Sequence, residues 1–178
     1  RDCLLSRGLG DVYKRQVPNH QLNRKTPLHT RANVAYFGTF GYELDLNKLS
    51  DEEISEVKQQ ITFMKEYREL IQFGTFYRLK SPFEGNETVW MTVSEDKKTA
   101  LVFWYRERNV VNADFTRVRL QGLDPDLIYR NEYNETENYG DELMNLGLLT
   151  TDCTAGEPTS EDEPCTDYES RIYVLTAK

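Results

Sequence analysis

The apolar residues of this chain change their spacing once, near Ser81, and that change restricts the folds available to it. Before this point they recur with the period of an amphipathic α-helix, as at Ile54, Val57, Ile61, Met64 and Ile71. After it they alternate with polar residues in short segments separated by turns, which is typical of antiparallel strands. We therefore predict an α/β segment at 17–80 and an all-β domain at 81–178.

The segment before Ser81 has the pattern of a βα unit. Residues 31–41, RANVAYFGTFG, are small and mostly apolar, and such a run is typical of a strand buried on both faces of a parallel sheet. Ser50 and Glu53 have the spacing of a capping box, so a helix is predicted to begin after Ser50. Gly74 follows the last periodic residue and is predicted to end that helix.

The segment after Ser81 contains five stretches with the composition of short strands. They are 89–93, 99–105, 115–120, 127–129 and 171–175. Val118 and Leu120 are expected on one face of the third stretch, with Arg117 and Arg119 on the other. Short strands separated by turns predict an antiparallel β-sandwich.

The charge balance excludes several classes of protein. The net charge of −8 and the pI near 4.9 leave no basic excess for a polyanion, so no nucleic acid is expected as a partner. No apolar run approaches the roughly 20 residues that span a bilayer. The first residues, RDCLL, are too short an apolar stretch for a secretory signal, so a cytoplasmic protein without a membrane partner is expected.

Residues 1–16 differ from the rest of the chain. They contain four basic and two acidic residues, and Gly8 and Gly10 interrupt any regular pattern. This segment is either an artefact of cloning or sequence assembly or an ordinary terminal segment, and no function is assigned to it.

Residues 150–166 form an acidic, Pro-containing stretch without large apolar side chains, and they predict a surface loop. Cys153 and Cys165 flank this loop. A disulfide between them would close it, but the absence of a secretory signal favours two reduced thiols. No metal is expected there, since two cysteines without paired histidines do not complete a zinc site.

Few residues elsewhere suggest chemistry. His20 and His29 are a weak metal signal without a nearby acidic ligand, so polar loop residues are the favoured interpretation and no cofactor is expected. Glu43 and Asp45 lie two residues apart, so an extended backbone would point both carboxylates to one side. Glycosidases use a carboxyl pair, but an ordinary polar connection to the next helix fits these two residues as well.

Several long motifs resemble the bacterial α-galactosidases of glycoside hydrolase family 36. They follow one another along nearly all of the chain after residue 16: VPNHQLNRKTPLHTR at 17–31, VAYFGTFGYELD at 34–45, EYRELIQFGTFYRLKSPF at 66–83, RLQGLDP at 119–125, GDELM at 140–144 and DYESRIY at 167–173. The acidic stretch at 150–166 matches least.

The resemblance implies a fold in which the last βα elements of a (β/α)8 barrel precede a C-terminal β-sandwich. It implies retaining hydrolysis of terminal α-galactosides of the raffinose or melibiose type, by a homo-oligomeric enzyme. The family's two catalytic aspartates lie in a Lys-Trp-Asp motif and a Ser-Asp-containing strand end. Neither is present in this chain, so no catalytic residue is assigned and the chain is expected to be inactive alone.

The resemblance also places one loop. The Pro-Asn-His-Gln motif is expected after the seventh barrel strand, on the face where barrel active sites are built. Asn19, His20 and Gln21 are therefore candidates to line or support the sugar pocket, although a loop held by its own hydrogen bonds is an equal alternative.

A different class of function remains open from the residues alone. Trp90, Trp104 and the tyrosines could stack on sugar faces in a free-standing carbohydrate-binding module, and a β-domain of this kind could also serve oligomerisation. Alternation within predicted strands favours core positions for most of these aromatic residues.

Overall fold

The computed structural model describes residues 26–38, 40–42, 47, 49–108, 110, 115–150 and 167–178, together with the backbone of 12–14. The chain divides into two compact units, Arg1–Ile71 and Gln72–Lys178. An α/β segment thus precedes an antiparallel β-domain, which is the predicted fold class. In the described residues, no helix combines the length and the apolar character needed to cross a membrane.

The first unit contains two short strands, one complete helix and most of a second. Its elements are β1 (Val12–Lys14), α1 (Leu28–Ala35), β2 (Phe40–Tyr42) and α2 (Asp51–Phe73). Strands β1 and β2 pair in parallel, which is the arrangement of a βαβ-type fold.

The strand predicted over 31–41 is wrong. Residues 31–35 of that run belong to α1, and only its last two residues, Phe40 and Gly41, lie in β2. The buried residues Leu28, Ala32 and Ala35 recur at i, i+4 and i+7, so they form one helical face. A small apolar run fits a buried helix as well as a buried strand, and alanine is the best helix former.

The predicted start and end of helix α2 are confirmed. The Ser50 amide donates to Glu53 Oε2 at 2.9 Å, and the Glu53 amide donates to Ser50 Oγ at 3.2 Å, which completes the capping box. The helix ends at Phe73, immediately before Gly74. Val57 and Met64 are buried, and Gln60 is buried between them.

The second unit contains a six-stranded antiparallel sheet, in the order β3-β4-β5-β10-β7-β8. These strands are β3 (Thr75–Lys80), β4 (Glu87–Val93), β5 (Thr99–Arg106), β7 (Ile128–Asn131), β8 (Glu137–Tyr139) and β10 (Glu169–Ala177). A two-stranded sheet pairs β6 (Arg117–Val118) with β9 (Leu148–Leu149), and the short helix α3 (Gly140–Asn145) precedes β9.

Each of the five predicted strand segments overlaps a strand of the structure. Val118 and Leu120 are buried while Arg117 and Arg119 are exposed, as their alternation predicted. The boundary is placed differently from the predicted one at Ser81, because β3 pairs with β4 and the second unit begins at Gln72. Strand β3 joins the large sheet through backbone pairing with β4, and the spacing of apolar residues before Ser81 does not reveal that pairing.

One face of the large sheet and the small sheet enclose a common apolar core. Its members are Val89, Met91, Val93, Ala100, Val102, Trp104, Val118, Leu120, Leu123, Tyr129, Leu143, Leu148, Tyr173 and Leu175. Trp104 has no exposed surface. Two antiparallel sheets with interdigitated side chains form a β-sandwich.

Candidate functional site

The residues predicted to line a sugar pocket, Asn19, His20 and Gln21, lie outside the described residues. Glu43 and Asp45 also lie outside them, as do both cysteines of the acidic loop. The described part of the chain nearest to Glu43 is the end of β2, where Tyr42 is the last strand residue.

The side chains on both sides of Gly41 in β2 pack against the helical side of the first unit. The ring of Phe40 stacks on Tyr36 with 5.1 Å between centroids, and Tyr36 in turn contacts Phe63 of α2 at 4.8 Å. The hydroxyl of Tyr42 donates to Gln60 Oε1 at 2.9 Å. Aromatic packing and this hydrogen bond therefore set the orientation of the strand.

Gln60 is the polar centre of that contact. Its side-chain nitrogen donates to Glu56 Oε1 at 2.7 Å, and its backbone oxygen accepts from the Tyr36 hydroxyl at 3.3 Å. Burial, with a contribution from the Glu56 carboxylate, raises the pKa of Tyr42 to about 12. Burial likewise raises the pKa of Tyr36, with contributions from Tyr42 and Glu56. Both phenols are therefore neutral hydrogen-bond donors near pH 7, and neither is a general base.

Arg31 of α1 lies close to two acidic residues of α2. Burial lowers the pKa of its guanidinium, and the carboxylates of Glu53 and Glu56 oppose that shift. Because an arginine stays protonated in proteins, this positive charge offsets the two carboxylates.

A second polar cluster lies in the β-sandwich around Glu87 at the start of β4. Its Oε1 accepts from the Trp104 indole at 3.1 Å and from the Thr116 hydroxyl at 3.0 Å, and its Oε2 pairs with Lys80. Burial alone would raise the pKa of Glu87, but the hydrogen bond and charge of Lys80, with the Thr116 and Trp104 hydrogen bonds, lower it overall. Glu87 is therefore ionised near pH 7 and is not a general acid.

Hydrogen bonds continue from Glu87 into the small sheet and back to the large one. The hydroxyls of Thr116 and Thr150 lie 3.2 Å apart, and the Thr150 amide donates to the Thr116 carbonyl at 3.0 Å. The Tyr173 hydroxyl donates to the Thr150 carbonyl at 3.1 Å. This chain of contacts joins β4, the end of the small sheet where β6 begins and β9 ends, and β10.

Two arginines enclose Trp104 at the same end of the core. Glu169 binds Arg106 through Oε2 at 2.5 Å and Arg171 through Oε1 at 2.6 Å. The two guanidinium carbons lie 5.4 and 5.6 Å from the Trp104 ring centroid, which is cation–π distance. The Glu169 carboxylate is already bound by two cations, so the cluster is suited to stabilising the sandwich rather than to acid–base chemistry.

The described residues contain no group of three or more His, Cys, Asp or Glu side chains arranged to hold a metal ion. A shallow depression of about 420 Å³ is lined by Arg130, Glu132, Thr176, Ala177 and Lys178. Lys178 pairs with Glu137 at its rim, and Arg130 pairs with Glu135 at 3.2 Å. Exposed ion pairs of this kind are ordinary surface features.

Sequence reasoning missed the polar clusters around Glu87 and Glu169 in the sandwich. Glu87 stands two residues before a predicted strand and Glu169 two residues before another, so a charged residue there reads as part of a turn. The partners of these residues lie far away in sequence, as with the 63 residues that separate Arg106 from Glu169. The one local signal was the burial expected of Trp104, whose indole N–H needs an acceptor.

Comparison with known proteins defines the class to which this arrangement belongs. Residues 87–175 match the sequence model of the glycosyl hydrolase family 36 C-terminal domain, and residues 11–74 match the melibiase model. The chain therefore belongs to glycosyl hydrolase family 36.

Among curated relatives, α-galactosidase AgaA of Geobacillus stearothermophilus is 51% identical over 132 residues, which cover 74% of this chain and 18% of AgaA. α-Galactosidase 1 of Pediococcus pentosaceus is 43% identical over 160 residues, which cover 90% of this chain and 20% of that enzyme. The chain spans about a fifth of the length of these relatives.

Solved structures agree with these matches. The AgaA crystal structure superimposes with a TM-score of 0.81 at 43% identity, over 94% of this chain and 21% of AgaA. The α-galactosidase of Lactobacillus brevis gives 0.83 at 41% identity, over 94% of this chain and 22% of that chain. Variants of AgaA have been crystallised with stachyose and with raffinose.

Proposed function

We propose that this chain is the C-terminal part of an α-galactosidase that removes terminal α-galactosyl groups from raffinose-type oligosaccharides. The observation that carries this proposal is the match over 94% of the chain, through both units, to the structure of AgaA. AgaA is named an α-galactosidase, and its variants bind stachyose and raffinose.

The chemistry proposed for the complete enzyme is retaining hydrolysis by two carboxyl groups. One attacks the anomeric carbon, while the other protonates the departing oxygen and then deprotonates water. Glu87 and Glu169 do not fit these roles, because each is engaged by cations within the sandwich. Both catalytic carboxylates are therefore proposed to lie upstream of this chain, which would be inactive alone.

Asn19, His20 and Gln21 remain the proposed contribution of this chain to the sugar pocket. They lie within the stretch that matches the melibiase model, and the carboxyl ends of barrel strands are where such pockets are built. The expected homo-oligomeric state and cytoplasmic location stay predictions.

A chimera tests the proposed function. The corresponding C-terminal fifth of AgaA is replaced by residues 17–178, and hydrolysis of p-nitrophenyl α-galactoside is measured for the chimera, for AgaA lacking its C-terminal fifth and for the isolated 178-residue chain. We expect activity from the chimera alone. A folded but inactive chimera would contradict the proposal, and so would turnover by the isolated chain that Glu43→Ala or Asp45→Ala abolishes.

The two tryptophans do not support the alternative of a free-standing carbohydrate-binding module. Trp104 is fully buried, and Trp90 packs between Phe76 and Phe103 at centroid distances of 6.2 and 5.6 Å. A sugar-stacking platform needs an exposed aromatic face, which these contacts do not leave on Trp104.

A further inference from the structure

Gly41 is the middle residue of β2, and among the described residues neither packing nor backbone conformation requires a glycine there. A Cβ built at this position meets no heavy atom within 4 Å, and the backbone does not adopt the left-handed conformation that favours glycine. Gly140 shows the contrast, because a Cβ there would lie 1.9 Å from the carbonyl oxygen of Asp124. Packing requires glycine at Gly140, whereas nothing around Gly41 does so among the residues that the structure describes.

The neighbours of Gly41 fix the direction in which its missing side chain would point. Phe40 stacks on Tyr36, and Tyr42 bonds to Gln60 of α2, so both side chains face the helices. Successive residues of a strand face opposite sides. The open side of Gly41 is therefore the face of β2 turned away from the helices.

That face has a defined place in a (β/α)8 barrel. The helices form the outer ring of such a barrel, so the opposite face of each strand is directed to its interior. Strand β2 lies within the stretch that matches the melibiase model, and Gly41 is one residue from the carboxyl end of β2. Active sites of this fold lie at the carboxyl ends of the strands.

We propose that Gly41 borders the substrate cavity of the complete enzyme and determines its specificity by leaving room for the galactoside. This inference rests on the function proposed above, because it needs the complete barrel and its sugar. A side chain at position 41 would occupy space on the sugar side of the strand without disturbing the contacts of Phe40 and Tyr42.

The full-length enzyme that contains this chain provides the first test. Gly41→Ala and Gly41→Val are compared with Gly85→Val, a matched control at another position where a Cβ meets no atom within 4 Å. We expect Gly41→Val to lower kcat/KM for raffinose about tenfold or more, chiefly through KM, with a smaller loss for Gly41→Ala. Gly85→Val should match the wild type, and melting temperatures should stay together. Unchanged kinetics of Gly41→Val would overturn the inference.

A second measurement tests directly whether position 41 borders the cavity, and it does not require the enzyme to tolerate a valine there. In the full-length Gly41→Cys variant, the rate at which a methanethiosulfonate reagent modifies the introduced thiol is followed by peptide mass spectrometry, with and without saturating galactose. We expect galactose to slow this modification at least about fivefold, as an occupied cavity excludes the reagent. A rate independent of galactose, in an enzyme whose wild type hydrolyses raffinose, overturns this inference and leaves the proposed function intact. A wild type without α-galactosidase activity overturns both.

Discussion

At the residue scale, Glu87 connects more parts of the sandwich than its position in sequence suggests. One carboxylate receives hydrogen bonds from β3, β5 and the residue before β6, through Lys80, Trp104 and Thr116. Removing one partner from a buried network leaves the others unsatisfied, which is more destabilising than losing an exposed pair. A minimal change at Glu87 is therefore expected to have an electrostatic effect on stability.

Replacement Glu87→Gln is expected to lower the free energy of unfolding of this chain by about 1–3 kcal/mol at pH 7. The pKa of Glu87 is lower in the folded state than in the unfolded chain. Its stabilising contribution is thus complete above the ordinary glutamate pKa of about 4.3 and is lost as the pH falls through the lower folded-state value. Urea unfolding followed by tryptophan fluorescence at pH 7 and pH 3 measures both effects.

The control for this variant is Glu137→Gln, which removes the pair with Lys178 whose two side chains are 44% and 57% exposed. An exposed pair is expected to contribute within about 0.5 kcal/mol. A Glu87→Gln deficit that stays the same at both pH values would show that the effect is not electrostatic.

At the element scale, helix α2 and the preceding run show what local patterns determine. The capping box of α2 involves residues three apart, so its signal is complete within one turn. The run at 31–41 contains both a helix and a strand, and its composition does not distinguish them. Burial of Leu28, Ala32 and Ala35 on one side selects the helix there.

Replacement Ser50→Ala is expected to destabilise α2 by about 0.5–2 kcal/mol, because the Glu53 amide loses its side-chain acceptor. The loss appears as lower ellipticity at 222 nm and faster exchange of the Glu53 amide. Ser55→Ala is the matched control, since Ser55 is exposed within the helix and alanine has the higher helix propensity. Equal helicity of Ser50→Ala and Ser55→Ala would show that the capping box contributes nothing measurable.

At the scale of the whole molecule, the two units differ in how completely each is built. The second unit contains a six-stranded sheet and an apolar core shared between two sheets. In the first unit, the two strands described pair only with each other, each over three residues. A two-stranded sheet is marginal in water by itself, so the two strands described in the first unit are expected to be less stable than the large sheet.

Hydrogen exchange of the 178-residue chain is expected to show this difference. Amides of β5, which pairs with β4 on one side and β10 on the other, should be protected about a hundredfold or more above those of β2. Joining the upstream part, as in the AgaA chimera, should raise protection in β2 and leave β5 unchanged. Equally strong protection of β2 and β5 in the isolated chain would contradict this prediction.

The sequence by itself determined the features that depend on neighbouring residues. These are the helix that begins at Asp51, the strand segments after Ser81, the alternation around Val118 and the family resemblance carried by long motifs. Each of these signals repeats within a few residues, because helical and strand periods are short.

Only the tertiary structure decided which distant residues meet. It divided 31–41 between α1 and β2, assigned β3 to the large sheet, and joined Arg106 to Glu169. It also turned Phe40 and Tyr42 toward the helices, which leaves Gly41 on the other side. The physical reason is that sheet order and register set these contacts, and both depend on burial of the whole apolar face rather than on any local period.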